Sequence, residues 1–274
     1  MQKLLRFASL YRKAATAGSA HTWAAGIVNE AFQQVMGRSP SPAELQIVLA
    51  VSNLESSYGR GWKGQGSGSH NWGAVQTSSK TSPQFQNKDS SAEGSYVTGF
   101  KVYPDDVAGA ADVVKLLFKS SRKQQLPDPK HAQRARGGEI PGPGRGELIQ
   151  IAAQQGDTLA FSKAMWYTTY FEGTSPEFTQ RIKSHANGIQ NRINTIAAAI
   201  GQSPAWSIKS TNYLPVTNDQ TVIQKIVQMN PKASEGMQVQ PAAPLNTPLN
   251  MPGNAALPEM QQDLGAVENI LWFQ

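Results

Sequence analysis

The chain has 274 residues, with 25 Lys and Arg against 19 Asp and Glu, 24 glycines, 17 prolines and no cysteine. That length accommodates one domain with a core of ordinary size, or one domain and a long extension. The lack of cysteine excludes disulfides, thiolate metal sites and cysteine nucleophiles together. Charged residues, at 16%, fall below the roughly 25% usual in soluble domains.

The net charge of +6 is unevenly placed. Residues 210–274 hold two basic and five acidic residues, a balance of −3 that leaves +9 on residues 1–209. A basic body suits an anionic partner such as nucleic acid, a membrane surface or a cell-wall polymer. Composition does not choose among them. No apolar run reaches the roughly 18–20 residues of a membrane-spanning helix, so no integral membrane segment is expected.

Residues 1–22 mix Leu4, Leu5, Phe7 and Leu10 with Lys3, Arg6, Arg12 and Lys13, which predicts a short basic amphipathic helix. Arg6 interrupts the apolar stretch of roughly 7–15 residues that a secretory signal needs. From Trp23 onward the pattern is helical, with Ile27, Ala31 and Val35 every fourth residue and a stop at Gly37. Ser41-Pro42-Ala43-Glu44 is a capping box with Pro at the first helical position. The helix it starts carries Leu45, Val48, Leu49 and Ser52 on one face and is expected to reach about Tyr58 and end at Gly59.

Residues 59–80 are glycine-rich, with Trp62, His70 and Trp72, and read as a loop. Residues 96–103 alternate and predict a strand or short extended pair. Asp105 then caps a helix to about Ser120. Residues 121–146 are basic and rich in Gly and Pro, the composition of a loop. Helices are expected at about 147–155 and 158–168. A long one opens at Ser175-Pro176-Glu177, with Phe178, Ile182, Ile189, Ile193, Ile196 and Ile200 as its stripe, and ends at Gly201.

After Pro204 the texture changes, because eight of the 17 prolines fall in the last 74 residues. Such a segment cannot bury a core. The prediction is a mainly α fold with a small strand element, in three parts: residues 1–22, a domain at 23–203, and an extended Pro-rich arm at 204–274. The arm closes on an apolar anchor of Ile270, Leu271, Trp272 and Phe273.

One constellation carries chemistry. Asn53-Leu54-Glu55-Ser56-Ser57-Tyr58-Gly59 is followed, across the glycine-rich loop, by Asn71-Trp72-Gly73-Ala74-Val75-Gln76. A single carboxylate at a helix end thus faces aromatics, amides and small residues. Tryptophan and tyrosine faces stack on sugar rings, amides bond hydroxyl and acetamido groups, and glycines admit close approach. A glutamate among aromatics in an apolar cleft has its charged form disfavoured, as a general acid requires. The histidines His21, His70, His131 and His185 show no metal-ligand spacing, so no metal or other cofactor is expected. The Lys63–Ser69 stretch lacks the Gly-Lys-Ser/Thr of a phosphate loop.

Glu55-Ser56-x-Tyr58-Gly59 followed by Asn71-x-Gly73-Ala74-x-Gln76 resembles the superfamily of goose-type lysozymes and soluble lytic transglycosylases, with the related phage and bacterial β-N-acetylglucosaminidases. Gly99-Phe100-Lys101-Val102-Tyr103 before the Asp105 helix is similar to a segment of the glucosaminidase branch. Trp166-Tyr167-Thr168-Thr169-Tyr170-Phe171-Glu172-Gly173 is similar to a Tyr-rich segment that closes the cleft opposite the glutamate. The likeness spans roughly residues 40–200. It implies a lysozyme-like helical domain that cuts the β-1,4 bond between N-acetylmuramic acid and N-acetylglucosamine in peptidoglycan. Glu55 matches the general acid, and Tyr167 or Tyr170 the nearby tyrosine. Ser56, Tyr58, Asn71, Trp72, Gly73, Ala74, Gln76, Tyr103 and Tyr167 are the expected substrate-binding residues, and Tyr170 and Glu172 are expected beside Glu55 as catalytic residues. The family's Gly-Leu-Met-Gln is Gly-Ala-Val-Gln here, and its Ala-Tyr-Asn-Ala-Gly block is missing.

A lone acid suffices for the reaction. Glu55 protonates the glycosidic oxygen while the substrate's 2-acetamido carbonyl stabilises the oxocarbenium-like centre. Glu55 then acts as base toward water, giving a reducing end, or toward the muramyl 6-hydroxyl, giving a 1,6-anhydro sugar. Asp89, Glu93, Asp105, Asp106 and Glu172 are candidates for a second carboxylate, with Glu172 foremost. The expected partners are peptidoglycan glycan strands and, through residues 204–274, structural proteins of a phage particle. The expected setting is a virion tail or capsid, with the enzyme opening the wall locally during infection. Two other readings differ in kind. One is a non-catalytic structural adaptor that keeps the fold, and the other is nucleic-acid binding through Arg134, Arg136 and Arg145, which has only charge behind it; no specific nucleic-acid partner is expected.

Overall fold

The structure is a computed structural model that describes residues 2–77, 81–91, 94–127, 138–171, 175 and 177–234, with the side chains of residues 2–17, 19 and 88–96 excepted. The chain divides into two compact units, Met1–Met237 and Gln238–Gln274. The described residues all belong to the first. The anchor expected at Ile270–Phe273 therefore lies outside them.

The architecture is mainly α with small sheets, as the periodicities predict. Helix α1 (Gln2–Met36) runs without a break from the expected N-terminal segment into the domain. Its Ala24, Val28, Ala31 and Phe32 are fully buried, a stripe turned slightly from the Ile27–Val35 spacing. Helix α2 (Pro42–Ser56) opens on the predicted capping box: Glu44 N–H donates to Ser41 Oγ at 3.3 Å, and Ser41 N–H donates to Glu44 Oε2 at 2.8 Å. Arg38 clamps the same carboxylate at 2.8 and 2.6 Å. Every residue from Leu45 to Ser52 is buried, as expected of a helix enclosed on all sides. Each large side chain in it, such as Ile47 or Leu49, stabilises the domain by about 1.5–3 kcal/mol.

Around α2 stand α3 (Asp106–Phe118), α4 (Arg145–Gln155), α5 (Thr158–Tyr167) and α6 (Phe178–Ala199). The stripe Phe178, Ile182, Ile189, Ile193 and Ile196 on α6 is buried as predicted. A three-stranded antiparallel sheet in the order β1 (Gln76–Thr77), β3 (Gly94–Lys101), β2 (Gln84–Ser91) stands beside the helices, with Phe85 opposite Phe100. Those two rings stack at 5.5 Å, and Trp62 closes on both at 5.0 Å. The sheet therefore has an aromatic core of its own. Residues 121–146, expected as a loop, instead contribute the hairpin pair β4 (Lys123–Gln125) and β5 (Glu139–Gly144).

The expected boundary at residue 204 is displaced. Trp206 and Leu214 are buried, and the helix α7 (Gln220–Met229) buries Val222 and Ile226. Buried Gln46 of α2 accepts from Ala205 N–H at 2.8 Å and donates to the Ser203 carbonyl at 2.9 Å, and Trp206 Nε1 donates to the Ala43 carbonyl at 2.8 Å. Scattered apolar residues thus hold residues 203–234 on the domain despite their polar texture. Among the described residues, no helix is long and apolar enough to cross a membrane.

Candidate active site

The site is built on an unusual helix end. Helix α2 stops at Ser56, earlier than the expected Tyr58, because Ser57, Tyr58 and Gly59 take left-handed backbone with φ of 50°, 62° and 75°. Such conformations are uncommon outside glycine, so the surroundings must hold them. Tyr58 N–H donates to the Ser52 carbonyl at 3.1 Å, which satisfies one of the carbonyls left open at the helix end. Ser56 Oγ donates to the Trp72 carbonyl and accepts from Gly59 N–H, both at 2.8 Å. This turn leaves Glu55 half-buried in the last turn of α2 and fastens the helix end to the Asn71–Gln76 loop.

The loop is equally constrained. Asn71 is fully buried; its Nδ2 donates to the carbonyls of Val75 at 2.9 Å and Lys101 at 3.0 Å, and its Oδ1 accepts from Val75 N–H at 2.8 Å. Trp72 packs against Trp23 and Tyr58, and its Nε1 donates to Asp106 Oδ1 at 3.0 Å. Helix α3 approaches so closely that a Cβ at Gly109 would overlap the His70 carbonyl oxygen.

Tyr170 closes the constellation. Its hydroxyl donates to the Gly73 carbonyl at 3.4 Å, and the Arg145 guanidinium lies 5.5 Å from its ring centroid. Burial, and then the neighbouring Glu55 carboxylate, raises the Tyr170 hydroxyl well above its ordinary pKa, while Arg145 pulls the other way. Tyr170 is thus a neutral phenol beside Glu55. Arg145 is buried, and it is held by Thr168 through Nε to Oγ1 at 2.8 Å and Nη2 to the carbonyl at 2.6 Å. Burial lowers its pKa to about 10, which leaves it a cation at neutral pH.

The expected site residues separate into two groups. Glu55, Gly73 and Tyr170 come together. Ala74 is half-buried with φ 49°, and Gln76 is exposed on β1. Ser56, Asn71 and Trp72, expected to touch substrate, are instead buried with their polar atoms holding the turn and the loop, and Tyr58, also buried, turns its hydroxyl toward His21. Tyr103 hydrogen-bonds to the Asp112 carboxylate, which also pairs with Lys101 at 3.0 Å. Tyr167 is fully buried against Trp166 and Phe178, and its hydroxyl has no partner among the described residues.

Of the second-carboxylate candidates, Asp105 caps α3 through Ala108 N–H at 2.7 Å. Asp106 accepts from Trp72 and stands 3.0 Å from His70 Nδ1. Glu172, Glu93 and the Asp89 side chain lie outside the described residues. So do Arg134 and Arg136, while burial removes Arg145 from any nucleic-acid surface. Among the described residues, no three potential metal ligands come together.

Arg145 and Thr168 were not legible as site residues. A usable signal was present, since Arg145 is the first residue of α4, where the helix dipole disfavours a cation. An arginine there needs a reason from elsewhere in the fold.

No family model matches the chain, and no curated protein matches it. Among solved structures, it is similar to the catalytic domain of the autolysin Auto from Listeria monocytogenes, with 14% identity and a TM-score of 0.35 over 70% of this chain and 94% of that one.

Proposed function

We propose that the protein is a peptidoglycan-degrading enzyme that cuts the β-1,4 glycosidic bond with Glu55 as its single acid and base. The observation that carries this reading is the placement of Glu55: half-buried at the end of α2, beside the neutral Tyr170 hydroxyl that bonds Gly73. A carboxyl group so placed delivers a proton to a glycosidic oxygen and later takes one back. The 2-acetamido group of the substrate supplies the stabilisation that a second carboxylate gives in other glycosidases. Asp105 and Asp106 are already committed to a helix cap and to Trp72, which supports a single-acid mechanism. Tyr170 is our candidate for the group that positions Glu55, and Glu172 is the carboxylate to test first if a Glu55 variant retains cleavage.

Gly73, Ala74 and Gln76 form the loop against which the sugar rests in this reading. The positively charged body, +9 over residues 1–209, favours an acidic wall polymer. The Pro-rich segment after residue 235 suits attachment to a phage particle, and we assign the enzyme to local wall opening during infection.

The test is product analysis. The purified chain is incubated with isolated sacculi and the soluble muropeptides are weighed by mass spectrometry. Reducing ends identify hydrolysis, and 1,6-anhydro ends identify the lytic reaction. Release of neither removes the proposal.

A further inference from the structure

A cavity lies on the side of α2 away from Glu55. It has a volume of ≈ 420 Å³ and is lined by residues of α1, the end of α2 and α6, among them His21, Asn53, Tyr58, Arg60, Arg192 and Thr195. Asn53 precedes Glu55 by two residues, about 200° round the helix, so the cavity and the carboxylate occupy opposite faces of α2. Among the described residues, no aspartate or glutamate lines it.

Its polar groups form a set of donors. Asn53 hydrogen-bonds the Tyr58 hydroxyl, which stands 2.6 Å from His21 Nδ1. With the Asn53 amide donating to the Tyr58 oxygen, Tyr58 donates to Nδ1, which leaves the His21 proton on Nε2. His21 is only 8% exposed, and burial lowers its pKa, so the ring is neutral and Nε2–H is a donor without a described partner. Arg60 is fixed over Trp23, 3.5 Å from its ring centroid. Arg192 donates from Nη1 to the Gly188 carbonyl at 3.2 Å, and its Nε is buried with no partner among the described residues.

Two arginines and a neutral imidazole thus line one cavity with no acid among the described lining residues, and one of their donors, Arg192 Nε, is buried without an acceptor there. Buried donors without acceptors are costly, and arginine pairs best with carboxylate or phosphate oxygens. Ala20, Ile196 and the Tyr58 ring form the apolar part of the wall, beside the neutral polar residues Ser57, Asn191 and Thr195. The volume is that of a small-molecule site.

We infer that this cavity binds a small organic anion, with a carboxylate or phosphate head held by Arg60 and Arg192 and an apolar body against Ala20, Tyr58 and Ile196. The inference does not depend on the chemistry proposed at Glu55.

Calorimetric titration of the full chain tests it with four probes: phenylacetate, phenyl phosphate, inorganic phosphate and the neutral isostere phenylacetamide. At least one of the two aryl anions is expected to bind with Kd below about 1 mM, and inorganic phosphate and the amide at least about tenfold more weakly. Which aryl anion is preferred names the head group. Arg192→Gln and Arg60→Gln should each weaken that binding about tenfold or more, while Glu55→Gln binds as the wild type does. Arg60 is exposed, so its variant folds and decides the matter if Arg192→Gln does not. Failure of both aryl anions to bind, equal binding of the amide, or undiminished binding by Arg60→Gln overturns the inference.

Discussion

The Tyr170 hydroxyl donates to the carbonyl of Gly73 at 3.4 Å across 97 residues of sequence, and it does so beside Glu55. One bond thus ties the segment after α5 to the loop in front of the candidate acid. At that length it contributes no more than about 1 kcal/mol to stability. Tyr170→Phe should therefore melt within a few degrees of the wild type, while cleavage of sacculi falls about tenfold or more as the polar group beside Glu55 is lost. Full activity in Tyr170→Phe removes the hydroxyl from the mechanism.

Two glycines in helices should respond in opposite directions to the same substitution. In α1, a Cβ at Gly26 meets nothing within 4 Å, so Gly26→Ala should stabilise by about 0.5–1 kcal/mol. In α3, a Cβ at Gly109 overlaps the His70 carbonyl and comes within 3.2 Å of Trp72 Cδ1. Backbone cannot give way as a side chain can, so Gly109→Ala should destabilise by about 1–3 kcal/mol or more and disturb the Asn71–Gln76 loop. Urea unfolding of the two variants measures both signs.

The α2 cap sets part of the acid limb of stability. Desolvation raises the pKa of Glu44, but the hydrogen bonds from Arg38 and Ser41 outweigh it, and the net shift is downward. A carboxylate depressed in the folded state contributes stability that is complete above its unfolded pKa, about 4.3, and is lost as pH falls through the folded value. Glu44→Gln should therefore be less stable at pH 7, with the difference from wild type shrinking below about pH 4.5. A constant difference down to pH 3 contradicts the assignment.

His185 acts in a higher window. Half-buried between Phe171 and Phe161, with Ser162 Oγ 2.8 Å from its Nδ1, it has its pKa lowered to about 3 by desolvation first and by Arg192 second. The unfolded chain takes up this proton near pH 6.5, so the contribution is present above that pH and declines steadily toward pH 3. His185→Gln should flatten the fall in unfolding free energy between pH 6.5 and 4. An unchanged slope rules His185 out as its source.

The parts of the fold written in local pattern were legible. The Ser41–Glu44 capping box, the Asp105 cap and the isoleucine stripe of α6 each depend on residues a few positions apart. The packing of residues 203–234 was not, because it depends on Gln46 meeting Ala205 and on Trp206 meeting Ala43, each across more than 150 residues. At the site, Glu55 and the Asn71–Gln76 loop could be picked out as a unit. Which side chains face outward could not, since Trp72 and Asn71 have the same composition signal whether they stack on a sugar or hold a loop. Their burial follows from Asp106, Lys101 and Gly109, which periodicity does not connect to them.

The account rests on Glu55, and Glu55→Gln tests it most directly. Wild type and variant are compared for muropeptide release from purified sacculi, with circular dichroism and melting temperature measured on the same samples. The account predicts an unchanged fold and melting within a few degrees, with release reduced by at least about a hundredfold. A folded Glu55→Gln protein that releases muropeptides at the wild-type rate would contradict it.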